Sequence, residues 1–320
     1  MKNGLFALLG LITLTLLLKL FSFSSAADDR DKAKTQEVCF VIPPGIPKDI
    51  GFAGEKMPTG QWDVKERLDR ELLVNNYWQS QTVLLFKRSR RWFSVIEPIL
   101  KNNHVPDDFK FLSLIESGFT NVVSPSGAAG FWQFLEATGK KYGLEINEEV
   151  DERYDVEKST EAACHYLTEA YNEFGSWTLA AAAYNMGIEG VKRQIEKQKA
   201  RSYYDLYLND ETSRYVFRIL AVKEIFSHPQ RYGFFLSEKD LYNALRYKVV
   251  FEDSSISDLV DFAMSNNTSY KILRLYNPWL RKSVLNNKNR KGYLFKFPLS
   301  VDQSIGEELL PALTSDSLHH

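Results

Sequence analysis

Between Pro106 and Tyr232 the chain has almost no alternation of apolar and polar residues, the pattern a half-buried strand needs. The stretch reads instead as a run of short helices punctuated by glycine. Helical spacing begins earlier, over Trp62 to Lys101. There Leu68, Leu72, Leu73 and Tyr77, then Val83, Leu84, Phe86, Trp92, Ile96 and Leu100, recur on one face. From Ala26 to about Gly60 the chain is polar and then rich in Pro and Gly, an irregular lead-in. Strands enter only past a boundary near Gly233, where YKVVF and YLFKFPL flank two helical segments as a small β-α-α-β unit. The expectation is a mainly α fold with a small C-terminal α+β module.

At 320 residues the chain suits about two domains, and 44% hydrophobic content is enough for a real core. Forty Lys+Arg against 41 Asp+Glu leave a net charge of −1, which argues against a bulk electrostatic nucleic-acid binder. Cys39 and Cys164 are far apart, and no paired Cys or His has ligand spacing, so neither a zinc site nor another metal is expected. Residues 1–27 read as a signal peptide: Lys2, an apolar run from Gly4 to Leu18, then Ser24, Ser25, Ala26 and Ala27. The run is shorter than the roughly 20 residues of a spanning helix. Export with cleavage near Ala26 or Ala27 is the first reading, and a retained N-terminal anchor that tethers the protein to a membrane is the alternative. The expected place is the periplasm or cell envelope.

Three pieces carry chemistry. The first is VPDDFKFLSLIESGF. Pro106 suits a first helical turn and Gly118 a C-terminal stop, while Phe109, Leu112, Ile115 and Phe119 mark a buried stripe. Glu116 then sits in the last turn of an apolar helix, where the helix dipole and its neighbours both disfavour ionisation. A carboxyl protonated near neutral pH is what a general acid needs. Alone, a helix cap or an arginine partner accounts for Glu116 better. The second piece is SPSGAAGFWQF, whose glycines allow close backbone approach and whose Trp132 and Gln133 offer a flat face and an amide. The third is LAAAAYNMG, in which four alanines permit tight helix packing before Tyr184 and Asn185.

In this order the pieces resemble the family 1 lytic transglycosylases, whose catalytic domain has a goose-type lysozyme fold (the SLT domain). The resemblance rests on Glu116-Ser117, Gly130-Phe131-Trp132-Gln133, Ala183-Tyr184-Asn185 and Tyr215 within ETSRYVFRIL. It implies cleavage of the β-1,4 bond between N-acetylmuramic acid and N-acetylglucosamine in peptidoglycan, leaving 1,6-anhydromuramyl ends, by a carbon-oxygen lyase that needs no cofactor. It casts Glu116 as acid and then base. Ser124 contacts the muramyl N-acetyl group or the acid, Gln133 bonds sugar or acid, and Tyr184 and Asn185 line the cleft. Tyr215 orients Glu116, and Trp132 is either a sugar platform or core. Most glycosidases need two carboxyl groups, and these motifs supply one. A substrate N-acetyl oxygen and O6 hydroxyl would take the second one's place.

The implied organisation is a leader over 1–27, a lead-in over 28–92, the catalytic domain over 93–235, a degenerate LysM-like module over 241–300 and a tail over 301–320. The expected partner is the glycan strand, with the protein a monomer. A muramidase-type hydrolase and a catalytically silent peptidoglycan-binding protein are the alternatives.

Overall fold

The computed structural model describes residues 43–299; the leader over 1–27, Cys39 and the tail over 301–320 lie outside the described residues. The described chain opens on a small antiparallel hairpin, β1 (Gly51–Phe52) with β2 (Glu55–Lys56). This stretch was expected to be irregular. Its order comes from burial: Phe52 is fully buried, with Ile50 and Met57 in the same core. The hairpin is also pinned by polar contacts. Asp108 accepts from the Ala53 amide and from Lys223, each at 2.6 Å.

Helices α1 (Trp62–Tyr77) and α2 (Gln79–Asn102) follow, separated by a break at Trp78. Val64, Leu68 and Leu72 of the first, and Leu85, Phe86, Ile96 and Leu100 of the second, face inward. The expected division at 92/93 falls inside α2, and both sides of it share one core. Next come α3 (Phe109–Ser117), α4 (Glu136–Lys141), α5 (Val156–Phe174), α6 (Trp177–Met186), α7 (Ile188–Gln198) and α8 (Asp210–Ser227). Three of these begin at side-chain caps that satisfy otherwise orphaned amides. Asp155 accepts from the Lys158 N–H, Ser176 from that of Leu179, and Asn209 from that of Thr212. All four alanines of α6, Ala180 to Ala183, are fully buried, so backbone meets neighbour directly. The core runs past Gly233 to take in Phe234 and, partly, Leu236 and Leu241.

A second core belongs to the C-terminal unit: β3 (Tyr247–Glu252), α9 (Leu259–Ser265), α10 (Tyr270–Tyr276) and β4 (Tyr293–Pro298). The order is the β-α-α-β one expected, and β3 pairs antiparallel with β4 from Tyr247 opposite Pro298 to Glu252 opposite Tyr293. Tyr293, Phe295 and Phe297 alternate inward along β4. One member of this second core, Val150, comes from the segment between α4 and α5.

Candidate active site

Helix α3 stops where its sequence says it must. Gly118 adopts φ 56°, the left-handed conformation that favours glycine, and its N–H returns to the Leu114 carbonyl at 2.9 Å. That fixes Glu116 in the last turn of a helix whose Phe109, Phe111, Leu112 and Leu114 are buried. The carboxyl of Glu116 accepts a hydrogen bond from the hydroxyl of Tyr215 on α8, itself 1% exposed. Burial raises the pKa of Glu116 above the ordinary carboxylate value. The Tyr215 bond and the Arg218 charge pull it back, while the Glu211 charge pushes it up; burial wins. Arg218 is held by its donation to the Ile115 carbonyl at 3.0 Å.

Facing this helix is the turn that follows Gly127, and each carbonyl from Gly130 to Trp132 has a donor. Phe131 O takes hydroxyl bonds from Ser113 at 3.2 Å and Ser117 at 3.0 Å, which ties the turn to α3. Trp132 O takes the Tyr184 hydroxyl at 2.8 Å, which ties it to α6. Gly130 O takes the Gln133 amide nitrogen at 2.8 Å, and Val122 O takes the same nitrogen at 3.1 Å. Both partners are carbonyls, so the NH2 of Gln133 must point at them, and its oxygen is the end left to accept from a ligand. Gln133 itself holds φ 50°.

A groove gathers most of the expected residues: Glu116, Ser124, Gln133, Tyr184 and Asn185 all line it. Ser124 also builds the turn, since its hydroxyl accepts from the Ala128 N–H at 3.0 Å. Asn185 is locked, accepting from Thr212 at 2.6 Å and donating to Glu211 at 3.0 Å. Tyr215 lies beneath the groove wall and reaches it only through Glu116.

Trp132 is the correction. It is fully buried, and its indole N–H donates to Thr160 at 2.8 Å, so it is a core residue and cannot serve as a sugar platform. Large rings in GxWQ-like wording fit either role, and only the packing partner decides. A tryptophan that is exposed, Trp78 at 63%, lines a second cleft with Asn75, Gln81, Arg214 and Arg218. Glu211 borders both cavities.

Several contributors escaped the sequence reading. Glu169, Glu189 and Glu211 bring further carboxylates to the groove, and the charge of Glu211 acts on Glu116, although its ETSRYV context gives no sign of that. Glu55, in the lead-in, accepts from the N–H groups of Trp177 at 2.5 Å and Thr178 at 3.0 Å. It thereby caps the helix that carries Tyr184 and Asn185, where a helix N-terminus favours an anion. Tyr142 and Tyr166 also line the groove, and their rings meet edge to face with centroids 5.3 Å apart. Among the described residues, no three His, Cys, Asp or Glu side chains converge as metal ligands, and no helix is long and apolar enough to cross a membrane.

A helical lysozyme-like unit with a half-buried glutamate over an amide-bearing turn, followed by a small α+β unit, defines the class. Residues 93–207 match the Transglycosylase SLT domain, and residues 248–301 match the soluble lytic transglycosylase C-terminal LysM-like domain. The chain thus carries an SLT domain and a LysM-like domain, and it resembles the family 1 lytic transglycosylases.

Over 243 residues it is 29% identical to membrane-bound lytic murein transglycosylase D of Escherichia coli strain K12, covering 73% of this chain and 52% of that protein. The protein of the same name from Escherichia coli O6:H1 strain CFT073 matches with the same identity of 29% and the same coverages, 73% and 52%. The chain therefore spans about half the length of the curated relatives it matches. A solved inactive mutant of lytic transglycosylase Slt from Pseudomonas aeruginosa is 20% identical, covers 47% of this chain and 26% of that one, and aligns with a TM-score of 0.36. That likeness is too slight to carry an argument.

Proposed function

We propose that this protein is an exported peptidoglycan lytic transglycosylase of the cell envelope. It would cut the β-1,4 bond between N-acetylmuramic acid and N-acetylglucosamine and leave 1,6-anhydro ends. The observation that carries the reading is Glu116: a half-buried residue whose desolvated carboxyl has a raised pKa, held by a neutral phenol, at the edge of a groove lined with hydrogen-bonding side chains. Protonated, it can donate to the glycosidic oxygen; ionised after that transfer, it can take the proton from the O6 hydroxyl. Tyr215 aims the carboxyl without adding a charge. Gln133 offers an acceptor to a substrate hydroxyl or N-acetyl N–H, and Ser124, Tyr184 and Asn185 shape the groove around the muramyl unit. A linear glycan must run past Glu116 in both directions, and the cleft that exposes Trp78 is the space for the leaving strand.

Glu116→Gln keeps the shape and removes the proton. Cleavage of purified sacculi should fall by several powers of ten, with circular dichroism unchanged. Near-normal turnover in that variant would remove Glu116 from the reaction. One observation favours a second reading. Glu211 is another carboxylate on the same groove, and a hydrolase of the muramidase type needs one to activate water.

A further inference from the structure

Beyond the groove, Arg153 in the 3-10 turn Glu152–Tyr154 ties four points with one side chain. Its guanidinium grips Asp151 with two bonds, Nε to Oδ1 at 2.9 Å and Nη2 to Oδ2 at 2.7 Å. The pair is nearly dry, with side-chain exposures of 11% and 9%. The remaining Nη1 donates to Gly127 O at 2.9 Å and to Phe134 O at 3.2 Å, the two ends of the turn that bears Gln133. The backbone of Arg153 abuts the same turn: a Cβ on Gly130 would lie 1.8 Å from the Arg153 carbonyl oxygen. Gln133, a non-glycine at positive φ, therefore sits in a strained conformation bracketed by one arginine.

Two residues upstream, the same segment is a rung of the C-terminal unit. Asp151 N–H donates to Trp279 O at 2.9 Å and Arg281 N–H to Glu149 O at 2.7 Å. Between them Val150 bridges Leu280 and enters the second core. Glu149 clamps the rung, accepting from the Asn286 N–H at 2.7 Å and from its side-chain amide at 2.6 Å.

We infer that Arg153 is a positioning residue for the Gln133 turn, and that it transmits to this turn the register set where segment 149–151 docks on the C-terminal unit. The inference rests on the function proposed above. A lysine cannot replace the fork, because a single ammonium cannot chelate Asp151 and span two carbonyls at once. A displacement of about 1 Å at a site of this kind costs up to roughly 100-fold in rate.

The test uses the full chain, comparing Arg153→Lys, Glu149→Ala and the double variant on sacculi and following the Trp132 indole N–H resonance. Arg153→Lys should lower kcat about 10- to 100-fold with little change in KM, and it should move the indole resonance. Glu149→Ala touches nothing in the turn, yet it should lower kcat by a smaller factor and move the same resonance. The double variant should lose less than the product of the two single losses, since both act through one strap. Wild-type kcat and an unmoved resonance in either single variant would overturn the inference, as would strictly multiplicative losses. If Arg153→Lys fails to fold, Glu149→Ala alone decides. A wild type that leaves sacculi uncut would overturn the proposed function instead, and the resonance in Glu149→Ala would still decide the positioning.

Discussion

The core around Glu116 and the seam that joins it to the C-terminal unit are built from different forces. In the first, rings and small residues close on one another: Trp92 meets Phe131 with centroids 4.9 Å apart, Phe93 meets Phe119 at 5.6 Å, and the α6 alanines carry no exposed surface. In the seam, lysines of the C-terminal unit reach carboxylates of segment 145–157. Lys282 pairs with Glu148, Lys291 with Glu145 and Glu152, and Lys296 with Glu157, while Tyr293 bonds Glu145 at 3.1 Å. Dissolved ions screen exposed charge pairs and have no such screening effect on apolar contacts. The geometry of the site should therefore be robust where it rests on the first core and tunable where it rests on the seam.

The sharpest break in the first core is Gly130→Ala. The added methyl would meet the Arg153 carbonyl, and the position holds φ 77°. We expect a loss on the order of 3 kcal/mol or more in urea unfolding, with activity gone. A variant as stable as wild type would show that the turn can move off the strap.

The seam should yield less. Lys296→Ala breaks a pair whose side chains are 21% and 33% exposed, so it lies between a surface pair and a buried one. The expected cost is about 1–2 kcal/mol, and molar salt should shrink it. A cost that salt leaves untouched would mean the seam is held by packing.

The smallest effect should have the opposite sign. Glu116 is raised by burial, so its ionised form is disfavoured in the fold. The penalty is absent below the unfolded carboxyl value, about pH 4, and grows as pH rises through the folded value. Glu116→Gln should therefore match the wild-type melting temperature in acid and exceed it at neutral pH. A variant less stable than wild type at neutral pH would contradict the raised pKa.

What could be read in the sequence follows from the range of each interaction. The α3 stripe, its glycine stop, the alanine helix and the β-α-α-β order are local patterns, and all of them are present in the structure. Glu55 capping α6 spans more than 120 residues, and the carboxylate of Glu211 arrives from a helix 95 positions beyond Glu116. No periodicity encodes such meetings. Trp132 was ambiguous for another reason: a buried indole needs a partner for its N–H, and Thr160 lies 28 residues away. The SLT match opens at residue 93, where the catalytic domain is expected to begin, while α2 runs on through that position and one core lies on both sides of it.

At issue is whether Glu116 protonates the glycosidic oxygen and then takes the proton of the intramolecular O6 alcohol, rather than activating water. Digesting purified sacculi with the wild-type protein and weighing the released muropeptides by mass spectrometry tests this directly, since anhydro and hydrolysed muramyl ends differ by one water. Anhydro ends are expected throughout, with none in the Glu116→Gln digest. Reducing ends carrying the extra water would contradict it and assign Glu211 the work of a base.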